Sequence, residues 1–234
     1  MPTFADKIIT FNQNLTFNGR LPDGIRIMNP FRENPNVLDI SAQFYKKYYD
    51  DDHSRHLILG INPGRFGSGL TGVAFTDPKR MVEKCNIPYK GASAHEPSSV
   101  FVYEMIEAYG GIEKFYQDFY INSPCPLGFT KIQDNGKEVN YNYYDSKALT
   151  NAVYDFMLES MQKHLDLGVK TDVAFCFGAG QNYKFLKILN DKKKYFDRLI
   201  PLDHPRFIMQ YKTKSKDLYI EKYLAAFGEI NTPL

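Results

Sequence analysis

His56-Leu57-Ile58-Leu59-Gly60-Ile61 runs straight into Asn62-Pro63-Gly64. A short apolar run that stops at a tight turn is the pattern of a buried strand. Three more runs share it: Phe119 to Asn122, Val173 to Phe177 and Leu199 to Leu202. Helical periodicity fills the intervals. It predicts helices over Phe4 to Asn14, from an N-cap at Ser41 through Tyr49, and from Ser98 or Ser99 to Tyr109, closed by Gly110-Gly111. Further helices are predicted over Asp145 to Leu167, Gly180 to Leu189 and Lys216 to Phe227. Strands alternating with helices imply an α/β fold, a three-layer α/β/α domain on a central four-stranded parallel sheet. Phe129 to Tyr141 reads as a hairpin turning at Asp134-Asn135-Gly136, and Gly19 to Asn36 as irregular connection.

Composition sets the outer limits. The 234 residues suffice for one domain with a full core. Apolar residues at 43% and charged residues at 24% fit a soluble globular chain. No apolar stretch approaches the roughly 20 residues of a membrane-spanning helix. Met1 to Thr10 lacks the features of a signal peptide, so a cytoplasmic location is expected; a monomer is expected as well. Cys85, Cys125 and Cys176 are widely spaced and odd in number, which argues for buried free thiols and against disulfides, zinc or an iron–sulfur cluster. A net charge of +2 does not announce a nucleic-acid binder; any DNA contact must come from a local basic surface.

In parallel sheets a ligand sits beyond the carboxyl ends of the strands. Three of those ends share a polar residue followed by a proline-stiffened turn: Asn62-Pro63-Gly64, Asn122-Ser123-Pro124-Cys125-Pro126 and Asp203-His204-Pro205. On one sheet they would converge on one pocket. The stretch Gly60 to Gly72 contains Gly67-Ser-Gly69-Leu-Thr-Gly72, which matches a dinucleotide fingerprint by letters. That fingerprint must follow the strand directly, and here Asn-Pro-Gly-Arg-Phe intervenes. No Gly-Lys-Ser/Thr exists for a P-loop, and Gly178-Ala179-Gly180 lacks its third glycine.

Gly60-Ile-Asn-Pro-Gly-Arg-Phe-Gly67, followed by Thr71-Gly-Val-Ala-Phe75, resembles the first motif of the single-strand-selective monofunctional uracil-DNA glycosylases. His204-Pro205-Arg206 resembles their second motif, and Asn122-Ser-Pro-Cys-Pro-Leu127 their base-reading stretch. Order and spacing fit over about residues 50–225. The resemblance implies that Asn62 positions the attacking water and that His204 stabilises the departing uracil anion. It implies that Phe75 stacks on the flipped base and that Gly60, Ile61 and the amides of Gly64, Arg65 and Phe66 line its carbonyl edge. Asn122 or Ser123 would read the uracil edge. Pro205, Arg206 and Phe207 would form a wedge loop against DNA, with Lys212 meeting the backbone. It implies no metal and no cofactor.

The chemistry asks for such residues. A base inside a duplex is out of reach and must be extruded into a pocket. Breaking the glycosidic bond leaves negative charge on the base, and an imidazole aimed at its oxygen meets that charge where it develops. An amide offers the donor and acceptor that a uracil edge needs. Related efficient enzymes carry Asp where Asn62 stands, so slower hydrolysis is expected. Where relatives carry a Tyr that blocks the 5-position of the base, Gly64 has no side chain, so 5-hydroxymethyluracil should fit.

Two departures from the family stand out. The Asn122 stretch is one residue longer, and Arg206-Phe207-Ile208-Met209 replaces the usual Ser-Pro-Arg wedge. Arg65 stands where an apolar residue or Pro is usual and is free to touch phosphate. Taken singly, the residues have plain readings: Asn62 as a turn residue, Asn122 as a strand-end cap, Phe75 as core, His204 as a packed histidine. His53, His56, His95 and His164 read as structural or exposed. Lys192-Lys193-Lys194 reads as a solvated helix end, while Lys214 and Lys216 follow the wedge. Three rival functions remain: a glycosylase acting mainly on deaminated purines such as xanthine, a non-catalytic DNA-binding module, and a small-nucleotide enzyme.

Overall fold

A computed structural model describes residues 1–231. Among the described residues seven strands form two sheets: β1 (Ile25–Met28), β2 (His56–Leu59), β3 (Phe119–Asn122), β4 (Gly128–Ile132), β5 (Glu138–Tyr141), β6 (Lys170–Phe177) and β7 (Arg198–Leu202). The four-stranded sheet runs β3-β2-β6-β7, all parallel, with helices packed around it. All four residues of β2 are buried, as a strand covered on both faces requires. Register puts the carboxyl ends level: Leu59 pairs with Asn122 and with Cys176, and Phe177 pairs with Leu202. The turns after β2, β3 and β7 therefore leave the sheet along one edge.

The second sheet, β1-β4-β5, is antiparallel and closes over that edge. Its hairpin turns as the sequence predicts: Gly136 takes φ 77°, a left-handed conformation that favours glycine. The segment from Gly19 to Asn36 departs from its irregular reading. It contains β1, whose register runs from Ile25 against Lys131 to Met28 against Gly128, and a turn of helix at Pro30–Glu33. Four residues gain strand geometry only by pairing with a distant partner, which local pattern cannot reveal. The next helix also starts earlier than expected, at Pro35, because Asn34 caps it and proline suits the first helical position. Ser41 lies inside that helix, its hydroxyl donating to the Leu38 carbonyl.

The core is strongly aromatic. Phe119 and Phe227 pack with centroids 4.6 Å apart, and Phe115, Phe175 and Tyr109 close around them. Cys85, Cys125 and Cys176 are buried and free. His56 and His164 are buried, while His53 and His95 are exposed. Among the described residues no helix is long and apolar enough to cross a membrane.

Candidate active site

The turns after β2, β3 and β7 meet around one cavity of about 490 Å³, inside the roughly 300–1,000 Å³ range of small-molecule sites. Asn62, Phe75, Asn122 and His204 all line it, with Gly60, Ile61, Gly64, Ser123, Arg206 and Phe207.

Asn62 does not hang free. Its Oδ1 accepts from the Tyr143 amide at 3.0 Å, and its Nδ2 donates to the Tyr141 carbonyl at 3.2 Å. The amide thus ties the turn after β2 to the small sheet, and one lone pair of Oδ1 stays open. Asn122 is similarly oriented: Oδ1 accepts from the Ser123 amide at 2.9 Å, and Nδ2 donates to the Tyr120 hydroxyl at 2.5 Å. That leaves one N–H and one lone pair toward the cavity. Ser123 has no side-chain donor to spare. Its hydroxyl donates to the Cys125 carbonyl at 2.6 Å, and its carbonyl lies 3.1 Å from Nε2 of buried His164.

His204 caps the helix Pro205–Tyr211 with its own ring, Nδ1 accepting from the Arg206 amide at 3.1 Å. An acceptor at Nδ1 fixes the neutral tautomer with its proton on Nε2. Burial, helped by the Arg206 cation, pushes its pKa down to about 4, so the ring is neutral near pH 7. Its centroid lies 5.7 Å from that of Phe75. Phe75 takes φ 52°, rare for a bulky residue, and packs edge-on against Phe177 at 5.5 Å. The turn that imposes this is locked by buried Thr71, whose hydroxyl donates to the Thr76 carbonyl at 2.6 Å. Gly60 makes room: a Cβ there would stand 3.2 Å from the Phe75 ring and 3.5 Å from the Asn122 carbonyl.

Other residues sit differently from their sequence reading. Arg65 is partly engaged within the protein. Its guanidinium faces Glu138 at 3.5 Å and Asn140 at 3.2 Å, and stacks over Phe66. Its backbone amide also donates to Asn140, so it is not offered to a base carbonyl. Phe66 is exposed. The expected wedge loop is a helix, because His204 caps it and Pro205 takes its first position. Ile208 is buried beneath it, leaving Phe207 and Tyr211 exposed at the cavity mouth with centroids 5.5 Å apart. Lys212 ends that helix outside the cavity. Lys216 pairs with Glu104. Among the described residues no cluster could hold a metal ion.

Three participants have no motif in the sequence. Asn182 is buried and donates to the carbonyls of Gly60 and Phe177, both at 3.1 Å. Its Oδ1 accepts from the Tyr143 hydroxyl at 2.7 Å. Tyr143 therefore links Asn182 to Asn62. Glu96 brings the one carboxylate into the cavity lining. Only Asn182 carries a hint, since it follows the Gly178-Ala179-Gly180 turn at a strand end.

A neutral imidazole and two oriented carboxamides thus meet at the carboxyl edge of a four-stranded parallel sheet, an arrangement suited to holding a planar polar base. The model of the uracil DNA glycosylase superfamily matches residues 46–228, and the chain belongs to that superfamily. It is 62% identical to SMUG2 of Pedobacter heparinus, whose wild-type crystal structure superposes with a TM-score of 0.97 over 100% of each chain. Comparison with curated proteins finds no match. The activity that goes with this membership is that of a uracil-DNA glycosylase, a hydrolase of N-glycosyl bonds.

Proposed function

We propose that the cavity receives a uracil-type base flipped out of DNA, with each turn supplying one function. Phe75 lies under the ring. Asn122, with one N–H and one lone pair unused, reads the donor and acceptor on the uracil edge. His204 offers Nε2–H to the base oxygen on which negative charge grows, and a neutral donor fixed in place needs no reorganisation as the bond breaks. Asn62 orients water through its open lone pair. A carboxamide cannot take the proton, so attack waits for positive character on the sugar. The product is an abasic site, reached without a covalent lysine intermediate.

Gly64 leaves the 5-position of the base unblocked, which extends the range to 5-hydroxymethyluracil. Arg206 and Phe207, at the mouth, meet the DNA around the gap, and Lys212 meets its backbone. The observation that carries the proposal is the convergence of Asn62, Phe75, Asn122 and His204 on one cavity of nucleobase scale. The test is alkaline strand cleavage of single- and double-stranded oligonucleotides carrying uracil or 5-hydroxymethyluracil. Cleavage by the wild-type protein and its collapse in folded Asn62→Ala and His204→Ala support the assignment. Near-native rates in either variant remove that residue from the mechanism.

A further inference from the structure

Glu96 is out of character in a pocket built for a polyanion. It is the only acid among the described residues that line the cavity, alongside Gly64, Asn62 and His204. Its place is fixed from behind. The Glu96 amide donates to Asp77 at 2.8 Å, and Asp77 is fully buried. Asp77 in turn caps the helix Pro78–Glu83 and pairs with Arg80 at 3.1 Å. The side chain then reaches forward onto the glycine turn after β2. A Cβ at Gly67 would stand 1.9 Å from Glu96 Oε2, and one at Gly64 would stand 3.4 Å from Oε1. Glycine at 67 is what lets a carboxyl group occupy this wall, while at Gly64 the carboxyl lies at ordinary contact distance.

The same wall is the one that Gly64 leaves open. In the pose proposed above, Asn122 takes the Watson–Crick edge and Phe75 the ring face. The edge turned to Gly64 is then C5, and the group waiting there is the Glu96 carboxyl. We propose that Glu96 reads the C5 substituent of the flipped base: it accepts a hydrogen bond from a 5-hydroxymethyl group and disfavours an anionic 5-carboxyl group. This assignment rests on the base pose of the preceding subsection.

The surroundings determine when that acceptor is charged. Burial, and next the Asp77 carboxylate, raise the Glu96 pKa to about 7, while Arg206 draws it back. The groups that face it are Asp77, Arg206 and the Ser99 hydroxyl, while Arg80 and His95 lie toward Asp77. Above pH 7 the ionised group accepts only. Below it the protonated group no longer repels a 5-carboxylate.

The test compares single-turnover excision of uracil, 5-hydroxymethyluracil and 5-carboxyuracil from one oligonucleotide sequence. Wild type, Glu96→Ala and Glu96→Gln are read as ratios to uracil within each protein. At pH 8.5, Glu96→Ala should lower the 5-hydroxymethyluracil ratio by on the order of tenfold. Glu96→Gln keeps an acceptor oxygen and should hold that ratio within about threefold. In both variants the 5-carboxyuracil ratio should rise, and in wild type it should rise as pH falls through 7. A side chain that merely props the turn would lower all three rates together. Ratios unchanged in both variants, or a 5-carboxyuracil ratio that falls in Glu96→Gln, overturn the assignment. Wild-type protein inert on uracil would instead overturn the function proposed above.

Discussion

The turns that carry His204 and Asn62 leave the same sheet edge, yet they fix their side chains by opposite means. His204 is held locally, by an amide two residues on, and its orientation is complete within one turn of helix. Asn62 is held from afar, by Tyr141 and Tyr143, 79 and 81 residues further along the chain. One side chain is set by its own tetrapeptide, the other by the docking of a second sheet. The turn after β3 falls between them: Asn122 is oriented by neighbours, but buried His164 reaches in from the helix Lys147–Asp166 to hold Ser123. Local fixation separates chemistry from folding, whereas long-range fixation merges them.

The largest expected effect falls on the local turn. His204→Ala removes a preorganised donor and should slow uracil excision on the order of 100- to 1,000-fold in single-turnover assays. Stability should fall by only about 1 kcal/mol, the usual worth of a helix cap. A variant that lost its fold along with its activity would break the contrast.

The turn after β3 should betray its buried histidine through acid sensitivity. Burial lowers the pKa of His164 from 6.5 to about 4. The unfolded chain takes up the proton near 6.5 and the folded chain only near 4, so stability is full above 6.5 and drains away as pH falls toward 4. For a fully buried group the loss amounts to about 3 kcal/mol. Urea unfolding from pH 7 to pH 4 should show it, and His164→Gln should flatten the slope. An unaltered slope would assign the acid loss to His56 and His204, whose pKa values are lowered by burial too.

Asn62→Ala tests the other end of the contrast. It leaves the Tyr143 amide and the Tyr141 carbonyl without their partner, at a cost of about 2 kcal/mol and a melting temperature lower by roughly 4–8 °C. Activity should fall with it. Activity lost at full stability would mean that the hairpin does not depend on the clamp.

How much of this could be read beforehand follows the same division. β2, β3, β6 and β7 were legible because buried parallel strands are apolar runs that end at turns. β1 was not, since Ile25–Met28 lies among Gly, Pro and Asn and owes its form to β4. The side chains at strand ends, Asn62, Asn122 and His204, could be picked out because a polar residue before a stiff turn is a local signal. Asn182, Tyr143 and Glu96 could not, since their roles depend on where a helix start, a hairpin and a glycine turn land in space. Arg65 shows the converse case. A cation in a DNA-facing motif suggests phosphate, but Glu138 and Asn140, on a strand more than seventy residues away, engage it first. The helix after His204 was legible in principle, for proline following a capping residue marks a helix start.

The smallest effect probes the link that only the structure reveals. The Tyr143 hydroxyl donates to Asn182 Oδ1, and Asn182 Nδ2 donates to the carbonyls at the ends of β2 and β6. Tyr143→Phe keeps the ring and the amide that holds Asn62, and removes only this bond. The buried Asn182 oxygen is then left without its donor, a loss of about 1 kcal/mol, or roughly 2–4 °C in melting temperature. Uracil excision should fall far less than in Asn62→Ala, because the backbone amide, not the hydroxyl, orients Asn62. If the rate fell as far as in Asn62→Ala while the fold stayed intact, the hydroxyl would be part of what sets the Asn62 geometry. The long-range clamp would then extend through Asn182 to the central sheet rather than ending at the hairpin.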